Sequence, residues 1–328
     1  MAESEPASLA SIALSQRLPT KEFEKQYKDH LSDFRRWDQK DHAEEWILHP
    51  ENIGPHLSID ETALTNGELY TIITNKAAHG KQGALVGMFR GTKASDIAPR
   101  LATIPLEKRL LVTEVTLDMS NSMDAIICAS FPNARLVADR FHVQQLVTEA
   151  VQEIRIELRR EALREENEAL KKARKEKVRY IPVMYENGDT KKQLLARSRY
   201  VLYKPAGKWH EQQKVRAQIL FREYPELEEA YNLSMMFRGF YEQATSVSEA
   251  RNKLHAWYAK VTEKNIDAFL VPMESIRLHE KTILNYFYDR STNASAESFN
   301  AKLKNFRALV RGVRDKKFFL FRVSVLYG

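Results

Sequence analysis

Apolar residues recur along this chain first at helical spacing, then in alternation, then at helical spacing again. Phe23, Tyr27, Leu31, Phe34 and Trp37 lie 4, 4, 3 and 3 residues apart, one stripe of an amphipathic helix running to about Trp37. Such a stripe must dock, either on the chain's own core or on a partner. Residues 1–18 before it are small and polar and read as a disordered tail. From His56 the period becomes two. HLSIDETAL (56–64) reads as a strand, Asn66-Gly67 as a hairpin turn and LYTIIT (69–74) as the returning strand. ALVGMFR (84–90) is a third strand and LLVTEVTL (110–117) a fourth, with a helix between them at 93–101. A helix over 120–131 stops before Pro132. ARLVA (134–138) is apolar enough to be a strand buried on both faces. The order βββαβαβ describes an antiparallel trio followed by strands that return through helices.

After Phe141 the strands stop. A long helical pattern runs from Val143 to about Lys177, and residues 151–177 hold nine Lys/Arg and seven Glu, the signature of a solvated helix. Tyr180–Gly188 is a break, and further helices are expected at 209–222, 226–242, 247–261 and 275–286 before a last one at 294–309. The expected organisation is a tail (1–18), an amphipathic-helix region (19–54), the first part of an α/β core (55–143), a helical insertion (144–288), and a last core helix with a basic C-terminus (289–328).

Composition narrows the classes. Apolar residues make up 43% of the 328, enough for a packed core, and 11 Gly is a low count that favours helix. The single cysteine, Cys128, excludes a disulfide framework and a multi-cysteine zinc site. No apolar run is long enough to span a membrane, and the start lacks the apolar segment of a signal peptide. The expectation is a cytoplasmic, helix-rich protein. A net charge of +7 hints at nucleic acid. The nine His form no HExxH pair, and there is no GxxxxGK[ST] phosphate loop.

Three carboxylates stand out. Asp60 lies mid-strand, where an unpaired charge is costly. Asp118 follows the fourth strand, at the end where α/β sheets carry functional groups; it could equally cap the next helix. Glu297 opens the last helix, whose stripe Phe299, Leu303, Phe306 and Val310 is spaced 4, 3 and 4. At 100° per residue Glu297 lies about 150° from that stripe's centre, although a first-turn Glu also suits the helix dipole. Beyond it come eight cations (Lys302, Lys304, Arg307, Arg311, Arg314, Lys316, Lys317, Arg322) against one acid, Asp315, a candidate phosphate track. Carboxylates without thiolates suit Mg²⁺ rather than zinc. Two such ions roughly 3.5–4 Å apart serve phosphoryl transfer.

This arrangement matches the RNase H-like polynucleotidyl transferases. The segments VADRFHV (137–143) and STNASAESFNAK (291–302) further resemble signatures of bacterial insertion-sequence DDE transposases of the ISL3 branch. The resemblance runs from about His56 to the C-terminus. It implies an RNase H-like mixed sheet interrupted by a helical insertion. It implies a catalytic, metal-binding triad of Asp60, Asp118 and Glu297 holding two Mg²⁺, with Mn²⁺ able to substitute, and accessory roles for Asp139 and His142. Asp139 is also the rival of Asp118 as second ligand; Asp118 is preferred because it follows the fourth strand. DNA is the implied substrate, as transposon ends and target, with contacts from Lys302, Lys304, Arg307 and Arg311. A homo-oligomer on DNA, associated with the nucleoid, is implied as well. Members usually carry an upstream zinc-binding and helix-turn-helix region. With one cysteine and a short stretch before His56, end recognition is expected from a separate polypeptide docking near Phe23, Tyr27, Phe34 and Trp37. The competing readings are an RNase H-like structure-selective nuclease and an inactive DNA-binding remnant.

Overall fold

The computed structural model describes residues 3–65, 68–310 and 315–328. Two compact units make up the chain: residues 1–139 with 289–328, and residues 140–288.

The first unit opens with two short helices, α1 (Leu9–Ser15) and α2 (Thr20–Gln26). The tail expected to be disordered therefore carries a helix, held because Leu9 and Ile12 pack with Tyr27. The aromatic stripe is not one helix either. After α2 the backbone widens into a π turn over Tyr27–Leu31, breaks at Ser32 in extended conformation, and closes as a 3₁₀ turn at Asp33–Arg35. These breaks re-aim the rings toward the C-terminal helix: Phe34 lies 5.1 Å from Phe318 and 5.5 Å from Phe321, and Trp37 5.5 Å from Phe321. Tyr27 and Phe34 are buried by the chain itself, so they are not a vacant dock for a partner.

Six strands follow: β1 (Trp46–Leu48), β2 (His56–Thr65), β3 (Glu68–Asn75), β4 (Leu85–Arg90), β5 (Glu114–Leu117) and β6 (Arg135–Ala138), ordered β1-β4-β3-β2-β5-β6. The edge strand β1 was not anticipated; three residues are too few for a visible period. β2, β3 and β4 form an antiparallel meander, and β2, β5 and β6 run parallel. The Asn66-Gly67 turn lies outside the described residues, but Thr65 pairs with Glu68 on either side of it. β5 starts later than its apolar run suggests, because Leu110 and Leu111 are exposed. Helices α3 (Ala94–Leu101) and α4 (Leu106–Arg109) precede β5, and α5 (Asn121–Ser130) joins it to β6.

The second unit is all helix among its described long elements. α6 (Arg140–Lys175) is followed by α7 (Lys191–Arg197), α8 (Arg199–Leu202), α9 (Glu211–Glu223), α10 (Pro225–Gln243), α11 (Val247–Lys264), α12 (Leu270–Leu278), α13 (Glu280–Leu284) and α14 (Tyr286–Asp289). The first half of α6 buries Val143, Val147, Val151 and Ile154, whereas its charged second half is mostly exposed. Trp257 is fully buried, with its indole N–H donating to the Leu233 carbonyl at 3.0 Å.

The chain then returns to the first unit as α15 (Ala294–Leu309) and α16 (Lys316–Tyr327). Each face of the sheet has its own core. Leu57, Ile59, Ile73, Val115 and Leu117 pack with Met123, Ile126 and Ile127 on one side. On the other, Ile72, Leu85 and Met88 meet Phe299, Leu303, Phe306, Phe319 and Val323 of α15 and α16. Among the described residues no helix is long and apolar enough to cross a membrane.

Candidate active site

The site is built by register. Ser58 pairs with Thr116 across β2 and β5, and Thr116 with Val137 across β5 and β6. Side chains alternate along a strand, so the next residues on this face, two further along each strand, are Asp60, Asp118 and Asp139. The Asp139 N–H continues the ladder by donating to the Leu117 carbonyl at 2.8 Å. Three carboxylates thus stand in a row across three parallel strands, Asp118 and Asp139 just past the carboxyl ends of β5 and β6 and Asp60 midway along the longer β2, on the face that α15 covers. Asp118 and Asp139, with His142 three residues later on the first turn of α6, each offer a ligand atom, all within 4.8 Å of one another. Asp139 is 2% exposed.

Two contacts hold α15 against this row. The Asn293 N–H, at the helix start, donates to Asp139 Oδ1 at 3.2 Å. Asn300 Nδ2 donates to Asp60 Oδ2 at 2.6 Å, while Asp60 Oδ1 accepts the Glu61 N–H at 2.7 Å. Asp139 therefore caps a helix far along the chain. Glu297 falls between the two anchors, four residues after Asn293 and one turn before Asn300, about 60° further round the helix. It is exposed, and the close group of Asp118, Asp139 and His142 includes neither Glu297 nor Asp60. The two Asn anchors were overlooked in the sequence, although they stand at either end of the N-x-x-x-E-S-x-N run around Glu297.

Two rungs below the carboxylates lies a second charged group. Glu114, 1% exposed, accepts from Lys76 Nζ at 3.3 Å and from Arg135 Nη2 at 3.2 Å. Lys76 also donates to Thr116 Oγ1, and Arg135 to Asp289. Burial pushes the Glu114 carboxyl up, but Ser291, Lys76 and Arg135 outweigh it and hold it below its ordinary range. Burial lowers the Lys76 ammonium, opposed by Glu114 and Asp139. Beside the row, Glu61 is raised by burial and by the charge of Asp118.

The cation track is only partly a surface. Lys304 is exposed. Lys302 donates to the carbonyl of Gly80 at 2.9 Å, in a turn whose φ of +66° favours glycine. Arg307 lies 5.2 Å over the Phe319 ring. Arg311 and Arg314 lie outside the described residues. Arg322, counted among the track cations, is 3% exposed, donating to the Ala7 carbonyl at 2.8 Å with its guanidinium 5.1 Å over Phe306. It faces inward because α16 is a core helix.

The donors suit a hard divalent cation, being carboxylate oxygens with one imidazole nitrogen and no thiolate. Fold and site together define an RNase H-like protein with a helical insertion and an acidic row across its parallel strands. Residues 57–323 match the family model of the ISL3-type DDE transposases, described as transposase; the chain belongs to this family. No curated protein and no solved structure gives a match. Membership carries with it polynucleotidyl transfer on DNA as the family's chemistry.

Proposed function

We propose that this chain cuts DNA at the ends of an insertion sequence and joins the freed 3′-hydroxyl to target DNA, with Asp60, Asp118 and Glu297 as the metal-holding catalytic carboxylates. The observation that carries the reading is the in-register row of Asp60, Asp118 and Asp139, with α15 anchored to both of its ends and Glu297 between the anchors. Asp118 and Glu297 would hold Mg²⁺ together with Asp60, whose carboxylate Asn300 orients. Two Mg²⁺, or Mn²⁺ in their place, supply activation of the attacking water or hydroxyl and charge neutralisation at the leaving oxygen. Asp139 has one oxygen engaged by the Asn293 N–H, which suits an accessory role; its nearness to Asp118 and His142 keeps it the rival second ligand. Lys304 faces solvent where a phosphate backbone would pass.

In this reading the protein works as a homo-oligomer on nucleoid DNA, and a separate polypeptide reads the transposon ends, docking elsewhere than on the covered aromatics. The test is metal-dependent cleavage and joining of labelled end DNA by the wild type, Asp118→Asn and Asp139→Asn. Cleavage with joining, lost in Asp118→Asn, supports the reading. Cleavage without joining would replace it with a structure-selective nuclease, and no cleavage in any metal with an inactive remnant. A dead Asp139→Asn beside an active Asp118→Asn would move the second ligand to Asp139.

A further inference from the structure

The charged group beneath the carboxylates has no part in the chemistry proposed above, yet it is fully committed. Glu114 is sealed from solvent and spans Lys76 on one side and Arg135 on the other. Such a group is a poor source of stability: an apolar trio of similar volume would serve as well or better. What it has that an apolar trio lacks is direction. Arg135 grips Asp289, Glu114 is hydrogen-bonded by Ser291, and one more rung pair up the face Asp139 accepts the Asn293 N–H. Alternate residues 289, 291 and 293 are thus tied, one by one, to β5 and β6. They are the first residues of the chain to rejoin the sheet unit, and α15 begins directly after them.

We infer that Glu114, with Lys76 and Arg135, is a positioning assembly: it fixes where the returning chain meets the sheet and thereby sets α15, with Glu297 and Asn300, over the carboxylate row. The inference rests on Glu297 being catalytic, as proposed above. Lys76 completes the assembly. It reaches from the turn after β3 to Thr116 and Glu114 on β5, two strands away, so the meander is tied to the same point. A displacement on the order of 1 Å at a catalytic group costs about 10²-fold in rate, and this sets the scale of the expected effect.

The test uses the full-length protein with Glu114→Gln, which keeps shape and removes charge. Hydrogen exchange is followed by peptide, and cleavage is measured over a range of DNA concentrations. Exchange over residues 289–300 should rise about tenfold or more while β3 and β4 stay protected. The maximal rate should fall about 10- to 100-fold with KM for DNA within about twofold, the pattern of a misplaced catalytic group rather than weakened binding. If Glu114→Gln does not fold, Asp289→Asn at the half-exposed end of the group should shift both readouts the same way by less. Unchanged protection at 289–300, or equal loss across the whole sheet, overturns the inference. Glu297→Gln separates the two claims. If it is inactive while Glu114→Gln matches wild type in both readouts, the positioning role fails alone. If Glu297→Gln cleaves normally, the catalytic assignment fails, and the assembly is judged on exchange alone.

Discussion

Glu114 in the sheet unit and Asp189 in the helical unit are both sealed from solvent, and each lies between two cations. Their partners differ in reach. Asp189 takes Arg216 at 2.9 Å, Arg197, and the side chain of Asn187 at 2.9 Å, all within one continuous stretch of its own unit and none more than 27 residues away. Glu114 gathers Lys76, Arg135 and Ser291 from three separated stretches. A local cluster of this kind closes a turn and secures the helices beside it. A long-range one decides where distant segments meet, and in this fold the segments that meet carry the candidate chemistry.

The largest effect should come from the carboxylates themselves. Asp60→Ala, Asp118→Ala and Glu297→Ala should each lower cleavage by about 10²–10³ or more with circular dichroism unchanged; wild-type rates in any one would remove that residue from the site. Next comes Asp189→Ala, which leaves two arginines facing each other and should destabilise the helical unit by about 3 kcal/mol. Chemical unfolding would measure the loss. Unlike Glu114→Gln, it should leave exchange at residues 289–300 as in the wild type, and a rise there would erase the contrast drawn above.

The same carboxylate gives a pH signature. Burial pushes Asp189 up, but the hydrogen bonds from Arg216 and Arg197 outweigh it and hold its folded pKa below the usual value. Its contribution is therefore full above the unfolded pKa of about 3.9 and fades as pH falls through the lower folded value. Unfolding free energies measured from about pH 6 down to about pH 3 should fall less steeply in Asp189→Asn than in wild type. Equal slopes would mean the ion pairs do not govern acid stability. The smallest effect is on DNA affinity: Lys304→Ala should flatten the plot of log K against log salt by about 0.9, whereas Arg322→Met should not change it. A slope change in the latter alone would mean that α16 is not packed as described.

The alternation in residues 56–64 and the apolar runs at 69–74, 84–90 and 134–138 made the sheet legible, because burial on one or both faces writes itself into period and composition. The insertion was legible because strand patterning simply ceases after Phe141. The aromatic stripe misled for a physical reason: a π turn and a 3₁₀ turn keep rings on one side about as well as a continuous helix does, so spacing does not distinguish them. The basic run after Glu297 misled similarly, since the sign of a side chain does not say whether it faces water; Arg322 lies beneath Phe306. Asp60, Asp118 and Asp139 were visible singly, but their alignment depends on pairings between strands far apart in sequence. Glu114 looked like an ordinary strand residue, because nothing local announces that Lys76 and Ser291 will arrive beside it.

The hydrogen bond from Asn293 to Asp139 joins residues 154 positions apart, and it bears on synthesis. A nascent chain that has emerged only as far as the helical unit already owns the sheet, Asp60, Asp118 and Asp139, but not the helix that Asp139 caps. Closing so long a span carries an entropic cost that grows only slowly with its length, so the finished chain can meet it, but the partial one has nothing with which to close. On the function proposed above, a polypeptide that stops before α15 would hold Asp60, Asp118 and Asp139 without Glu297, and it should not cleave DNA.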